Sequence, residues 1–530
     1  MLVIELDRQN MEYDVQALVK AFFPDEQVEV LVPESRADKR EKLSGDIKVR
    51  VVSGEGCAEI YLASELGGRM NLAEEGCGIR GQEEADAEKD SVATSEADEA
   101  GTDSLENGKA AVHFCWRESG EKVGKEDFKA CLYGILSRFT GRQLPWGMLT
   151  GIRPTKIALS LLEEGQSRQE IREHYIKRYF VSDEKAALAV EIAERERKLL
   201  TGAHCEGTQG RGCSLYIGIP FCPTTCLYCS FTSYPIAVYR KQVDEYLNCL
   251  LREAAYVAQR FQGKILDSVY IGGGTPTTLE PEQLDRLLGG IRQLFDFTTV
   301  QEFTVEAGRA DSITEEKLKS LRRHGVSRIS VNPQTMKQET LDLIGRKASV
   351  VQVEEAFRLA RQIGFDNINM DIILGLPGET SRDVRHTMDR IAELSPDSLT
   401  VHSLAVKRAS GLSQWIQENG TAMLRNTDET MAIAAEGAEK LDMHPYYLYR
   451  QKNMSGNFEN VGYAREGKYG LYNILIMEEV QTIVALGAGS ISKRVYPDGR
   501  IERCENVKEV AQYIERIEEM IERKRVLFEN

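Results

Sequence analysis

The sequence predicts an α/β fold: a parallel sheet curled into a partial (β/α)6 barrel, with an α+β extension before it and an α+β domain after it. Three observations carry that reading. From Ser214 onward, short runs rich in Ile, Val, Met and Leu alternate six times with charged, helix-periodic stretches. Ahead of that repeat lie strand-like segments with simple apolar/polar alternation. The chain has 530 residues, 42% of them apolar, enough for real cores in two or three domains.

Residues 1–140 read as the first domain. Lys48–Val52 and Ala111–Trp116 alternate as half-buried strands do. Between them, Glu83–Glu106 holds ten acidic residues and a single Lys. Such a stretch cannot bury enough apolar surface to offset its chain entropy, so a disordered surface loop is expected there. Residues 141–212 form a helical connector. The Gly/Pro-punctuated stretch Leu144–Lys156 leads into a helix over Ile157–Glu164, and a second helix is expected over Asp183–Leu200. Thr150, Gly151, Arg153 and Lys156 near that helix start suit either an anion or a capped turn.

Residues 213–409 carry the barrel. Its strands are expected at Leu215–Pro220, Ser268–Gly273, Glu302–Glu306, Arg328–Asn332, Asn367–Leu374 and Ser398–Ala405. The intervening helices are expected at Tyr239–Arg260, Pro281–Phe295, Thr314–His324, Val350–Gly364 and Arg382–Leu394. In such folds the loops after the strands build the active site, so each functional residue should stand at a strand's C-terminal end. Residues 410–530 are mixed. Glu478–Leu486 is apolar until Gly487–Ser490 breaks it, and Asn506–Lys524 places Val507, Val510, Ile514, Ile517 and Ile521 at helical spacing.

The formal net charge of −16 argues against broad electrostatic binding to nucleic acid or a membrane surface. No run approaches the roughly 18 apolar residues of a membrane span. MLVIELDRQN carries Glu5 and no basic n-region, so a cytoplasmic protein is expected. Of eleven cysteines, Cys222, Cys226 and Cys229 fall together as C-x3-C-x2-C on the loop after the first barrel strand. Three thiolates on one short loop wrap a compact soft-metal centre. Structural zinc would want a fourth ligand, and C-x2-C usually comes in pairs, whereas this chain has no second one. A [4Fe–4S] cluster held by three cysteines keeps one iron open for another ligand.

This loop on a β/α barrel resembles the radical S-adenosylmethionine (SAM) enzymes. YIGIPFC (216–222), GGGTPT (272–277), FTVEAGR (303–309), ISVNPQT (329–335) and DIILGLPGE (371–379) are similar to words of the oxygen-independent coproporphyrinogen III oxidase group. LPWGMLTGIRPTK (144–156) resembles its HemZ-type coproporphyrinogen dehydrogenases. The resemblance spans about residues 140–490. It implies a radical SAM barrel, a C-terminal domain of coproporphyrinogen-oxidase type, and a [4Fe–4S] cluster on Cys222, Cys226 and Cys229. It also implies SAM held by Tyr216, Gly273, Gly274, Thr275, Glu306, Gln334, Arg346, Asp371 and the main chain of Ala405, with Tyr228 by the adenine. No catalytic side chain is implied beyond the cluster and SAM.

The implied reaction begins with a 5′-deoxyadenosyl radical taking hydrogen from a propionate β-carbon. Loss of CO2 and one electron then leaves a vinyl group, twice over, turning coproporphyrinogen III into protoporphyrinogen IX without oxygen. A low-potential donor such as flavodoxin or ferredoxin would supply electrons. The substrate's carboxylates call for basic residues, of which Arg240, Lys241, Arg309, Lys407, Arg408 and Arg450 are candidates and Arg309 and Arg408 the first choice. The chain departs from the family at Gly218, where the best-understood oxidases have His, and at Phe231, where they have a fourth cysteine. CLYCSF resembles the related haem-handling branch, yet Phe458–Tyr463 lacks that branch's haem-ligating His. A haem-handling protein, or a radical SAM enzyme for another substrate, is the alternative.

Overall fold

A computed structural model describes residues 2–6, 11–23, 28–31, 47–54, 57–63, 104–105, 109–117, 125–151, 153–205, 212–231, 233–407, 410–421, 423–451 and 454–529. They form two compact units, residues 1–150 with 178–181, and residues 151–177 with 182–530. The first boundary, expected near 140, falls at 150 because Leu144 and Met148 are buried in the first unit's core.

The first unit is a six-stranded sheet: β1 (Leu2–Leu6), β2 (Val28–Leu31), β3 (Ile47–Gly54), β4 (Cys57–Ala63), β5 (Ser104–Leu105) and β6 (Lys109–Arg117). Their order is β2-β1-β3-β4-β6-β5, with β1 parallel to both neighbours and the other pairs antiparallel. The two expected strands fall inside β3 and β6. The acidic stretch 83–106 lies outside the described residues except for Ser104 and Leu105, which pair with β6. Helix Glu12–Phe22 buries Val15, Leu18, Val19 and Phe22, one stripe at i, i+3, i+4 and i+7. That stripe packs into a core with Phe128, Leu132 and Leu136 of helix Lys125–Thr140.

The second unit holds β7 (Gly212–Ile219), β8 (Phe221–Cys222), β9 (Tyr234–Pro235), β10 (Ile265–Gly273), β11 (Glu302–Gly308), β12 (Arg328–Val331), β13 (Ile368–Leu374) and β14 (Ser398–Ser403). After them come β15 (His444–Tyr449), β16 (Asn460–Ala464), β17 (Thr482–Leu486), β18 (Ile491–Val495) and β19 (Ile501–Glu505). Eleven strands form one sheet in the order β15-β16-β14-β13-β12-β11-β10-β7-β17-β18-β19. The run from β14 to β17 is parallel throughout. The end strands β15 and β19 do not pair with each other, so the barrel is partial. Six of its strands are those expected from sequence.

Residues 410–530 do not build a sheet of their own. β17 joins β7 in parallel, and β16 joins β14 antiparallel, so this segment completes both edges of the barrel sheet. The reason is burial: all five residues of β17 are buried, which an isolated edge hairpin could not achieve. The helical stripe expected over Asn506–Lys524 breaks into Val510–Glu515 and Ile517–Glu529. The second piece is anchored by Lys524, fully buried and 2.5 Å from the equally buried Glu253.

The helices over Pro281–Leu294, Val350–Gln362 and Ser381–Leu394 each start with a reciprocal capping box. Helices Thr155–Glu163 and Asp183–Leu200 match the connector reading. Arg153 does not offer an anion site, because its guanidinium is taken by the Glu479 carboxylate at 2.7 Å and the Met477 carbonyl at 2.6 Å. Among the described residues, no helix is long and apolar enough to cross a membrane.

Candidate active site

At the C-terminal ends of the parallel strands lies a cavity of about 380 Å³, the place where β/α folds present their chemistry. Cys222, Cys226 and Cys229 line it together with Tyr228, Gly273, Gly274, Thr275, Glu306, Gln334, Arg346, Asp371 and Ala405. Twelve of the thirteen residues singled out from sequence are thus brought to one cavity. Tyr216 is not on its wall. Its ring stacks on that of Tyr270, centroids 6.2 Å apart, and Tyr270 lines the cavity.

The cysteine loop is pinned from several sides. β8 pairs with β9, setting Cys222 opposite Pro235. The Leu227 N–H donates to the Ile344 carbonyl, and the Leu227 carbonyl accepts from Leu412. Arg309, 3% exposed, is held by both oxygens of Asp311 at 3.0 and 2.7 Å. It donates to the Thr224 carbonyl and hydroxyl and lies 3.8 Å from the Cys226 sulfur. The sequence reading gave Arg309 to a substrate carboxylate. The structure corrects this: its charge is spent on Asp311 and on the shape of the cysteine loop.

The glycine after β10 has a steric explanation. The Gly274 N–H donates to Ile219 and that of Thr275 to Phe221, so this segment lies flat on the strand and loop leading into Cys222. A Cβ at Gly274 would stand 2.5 Å from the Phe221 carbonyl oxygen. Gly274→Ala is therefore expected to push the cysteine loop outward at a cost of roughly 1–3 kcal/mol, read as a lower Tm together with weaker metal retention.

The cavity's charges are arranged by sign. Burial pushes the Glu306 carboxyl up to about 7, although the Tyr270 hydroxyl and the Gly273 N–H both donate to it. Asp371 is half-buried, but His402, with Nε2 3.8 Å away, and the Asn369 amide at 2.6 Å more than offset the desolvation and hold it below the usual carboxylate range. Arg346, 7% exposed, donates to the Asn332 carbonyl and, at 3.4 Å, to the Tyr228 hydroxyl. Burial raises the thiols of Cys222 and Cys229, so they favour the neutral form until a cationic centre stabilises the thiolate.

Gln334 stands in the left-handed backbone region at φ 70°, an arrangement that costs a non-glycine residue about 1 kcal/mol. Its N–H and carbonyl are bonded to Asp371 and Ile373, which fixes the side chain at the cavity. Among the described residues, four buried polar atoms on this wall have no hydrogen-bond partner: Ser330 Oγ, Asn332 Oδ1, Gln334 Oε1 and Arg346 Nε. Each such atom costs roughly 1–3 kcal/mol if left unmet. A polar ligand with hydroxyl, amine and carboxylate groups answers that demand, and SAM carries all three.

The cysteines suit a cubane. Among the described residues, no three His, Cys, Asp or Glu side chains converge as around a single ion. A [4Fe–4S] cluster takes one cysteine per iron, so its ligands need not converge in that way.

Of the other basic candidates, Lys407 lines the cavity, Arg240 and Lys241 are exposed away from its wall, and Arg408 lies outside the described residues. Arg450 is buried with its guanidinium on the carbonyl and side chain of Asn457. Tyr270, Ser330, Asn332, His402, Tyr447 and Tyr449 line the cavity and were missed from sequence. Ser330 and Asn332 sit inside ISVNPQT and His402 near the end of β14, so the strand-end rule could have found those three. Tyr447 and Tyr449 come from β15, whose arrival at the barrel edge leaves no local trace.

Fold and site together define a radical SAM protein, and the Radical SAM superfamily model matches residues 216–391. The chain is 41% identical over 394 residues to the oxygen-independent coproporphyrinogen-III oxidase-like protein HemZ of Bacillus subtilis, covering 74% of this chain and 78% of that protein. The chain belongs to this HemZ-type family of the radical SAM superfamily. It is also 34% identical to the haem chaperone HemW of B. subtilis, over 58% of this chain and 76% of that one. Among solved structures, coproporphyrinogen III oxidase (HemN) of Escherichia coli aligns with TM-score 0.49 and 24% identity, over 61% of this chain and 72% of that one. The cofactors that go with membership of the superfamily are a [4Fe–4S] cluster and SAM.

Proposed function

We propose that this chain catalyses the oxygen-independent oxidative decarboxylation of coproporphyrinogen III to protoporphyrinogen IX in the cytoplasm. Cys222, Cys226 and Cys229 would hold the cluster, and the polar wall from Gly273 to Ala405 would hold SAM. When bound, that pair supplies a carbon-centred radical able to take a hydrogen atom from an unactivated position. Glu306 and Asp371 would face the ligand's cationic amine and ribose hydroxyls, and Arg346 its carboxylate, as their charges dictate. Gln334 would fill its open hydrogen bond on the ribose or carboxylate. Per vinyl group formed, the substrate loses one hydrogen atom, CO2 and one electron.

The observation that carries the substrate class is Lys407. It follows Ala405 on the loop after β14, lines the cavity, and forms no ion pair among the described residues. Burial pulls its ammonium below the usual lysine range, a cost that an incoming propionate carboxylate would offset. Lys407→Gln is expected to raise KM for coproporphyrinogen about tenfold, the equivalent of roughly 1.4 kcal/mol, while 5′-deoxyadenosine still forms. A haem-handling role is the second reading, favoured by the likeness to haem chaperones. Against it, 458–463 contains no His.

The test is an anaerobic assay of the reconstituted protein with SAM, a low-potential reductant and coproporphyrinogen III, read by mass. Deoxyadenosine together with stepwise loss of CO2 and two hydrogens supports the proposal. Deoxyadenosine without decarboxylated tetrapyrrole rejects this substrate, and stable haem binding without SAM turnover selects the second reading.

A further inference from the structure

We infer that Phe231 is the stacking platform for the pyrrole ring whose propionate enters the cavity, which makes it a specificity-determining residue for the substrate. The inference rests on the reaction proposed above and adds where the substrate's ring sits while it reacts.

Exposure locates the entrance to the cavity. Among the described residues that line it, only Ser230 and Phe231 are exposed, and the others are buried or half-buried. The opening therefore lies beside the last cysteine of the loop. Phe231 is held there by its backbone, whose N–H donates to the Cys229 sulfur. Its side chain is 74% exposed, the most of any large apolar side chain among the described residues. A lone exposed apolar group needs no explanation on an ordinary surface. This one stands at the entrance to the proposed active site, two residues from a proposed cluster ligand.

Size keeps most of the substrate outside. A volume of about 380 Å³ lies at the small end of the roughly 300–1,000 Å³ in which one drug-sized ligand is enclosed. SAM is such a ligand, so a whole tetrapyrrole cannot be enclosed beside it, and only one side chain of the macrocycle enters at a time. The reaction then fixes the ring's place. The β-carbon that gives up its hydrogen is bonded directly to the pyrrole, so the ring stays one C–C bond from the reacting atom. The carboxylate, two bonds further along, reaches Lys407 on the cavity's lining. The pyrrole is left at the entrance, where the Phe231 ring stands. Two aromatic rings there pair offset or edge to face, beyond what the apolar area they bury contributes. Ser230, the other exposed residue of the entrance, is too small and polar to do this.

The probe is coproporphyrinogen III, titrated anaerobically by calorimetry into the SAM-loaded holoprotein without reductant, so that binding is read with no turnover. Phe231→Ala is expected to weaken Kd about tenfold, as truncation of an aromatic anchor does. Phe231→Tyr keeps the ring and should stay within about twofold. Val238→Ala is the control: Val238, on the short helix Ile236–Tyr239, is 72% exposed but off the cavity's lining, and its loss should leave Kd unchanged. Iron content and SAM affinity should be equal in all four proteins, because the Phe231 N–H that meets Cys229 survives each substitution. Unchanged Kd in Phe231→Ala, or an equal loss in Phe231→Tyr or Val238→Ala, overturns the platform. A parallel loss of iron or of SAM affinity in Phe231→Ala overturns it too, by assigning the ring to the cofactors. Absence of coproporphyrinogen binding in the unsubstituted protein overturns instead the substrate reading beneath it.

Discussion

Replacing Cys222, Cys226 or Cys229 singly by serine is expected to bring bound iron and sulfide to background and to abolish SAM cleavage. In a [4Fe–4S] cluster each of the three thiolates would serve a different iron, so the remaining two could not close the site. The surroundings offer no substitute: among the described residues no other cysteine lines the cavity. Cys249→Ser is the control. Cys249 is buried on helix Val243–Arg260 with its sulfur 3.8 Å from the Ile514 carbonyl, and its loss should leave iron content intact. Iron and sulfide analysis with the visible spectrum of the reconstituted variants reads the outcome. A cluster that survived all three changes would remove the proposed mechanism.

Glu306→Gln is expected to weaken SAM binding roughly thirtyfold, about 2 kcal/mol for a hydrogen bond between ionised groups in a buried site. The sign of its pH dependence follows from burial, which sets the carboxyl at about 7 before the ligand enters. Below that pH the group is neutral and would offer the proposed cationic amine only a weaker, uncharged acceptor. Above it, the carboxylate is present. Affinity of the native protein should therefore rise as pH increases through about 7, with protons released on binding in the acidic limb, until the ligand's own amine deprotonates at about 8. The Gln variant should lack the rise through about 7, because Asp371 is already ionised there. Calorimetric titration of SAM at several pH values checks both. A pH-dependent affinity that persisted in Glu306→Gln would move the titrating group elsewhere.

Much of the site was legible because its residues travel in local words. Cys222, Cys226 and Cys229 share one loop, and the residue after β10 must be a glycine because a Cβ at Gly274 would strike the Phe221 carbonyl that leads into Cys222. Glu306, Gln334 and Asp371 were visible as polar residues at or near the ends of apolar strands, where burial makes a carboxylate or amide expensive unless it has work to do. Arg309 shows the limit of that reasoning. Its position in FTVEAGR is equally consistent with reaching a ligand or bracing the loop, and only the geometry of Asp311 and Thr224 decides for the brace. Tyr216 is a different case: it is absent from the cavity lining, and its ring stacks on Tyr270 of the neighbouring strand, which does line it.

By itself, the sequence determined the six central strands, the helices between them, the cysteine loop and the strand-end rule that gathers the polar groups. These depend on periodicity and spacing within a few residues, which the chain carries locally. Tertiary structure alone decided which distant segments close the sheet. β17 packs beside β7 and β16 beside β14 because buried edge strands need backbone partners, and nothing within Thr482–Leu486 or Asn460–Ala464 says which edge will supply them. It also decided which charges are free. Arg153 and Arg309 find carboxylates within 3 Å and are spent, whereas Lys407 stands at the cavity with none among the described residues. Pairing is a property of distances across the fold, and a sequence does not contain them.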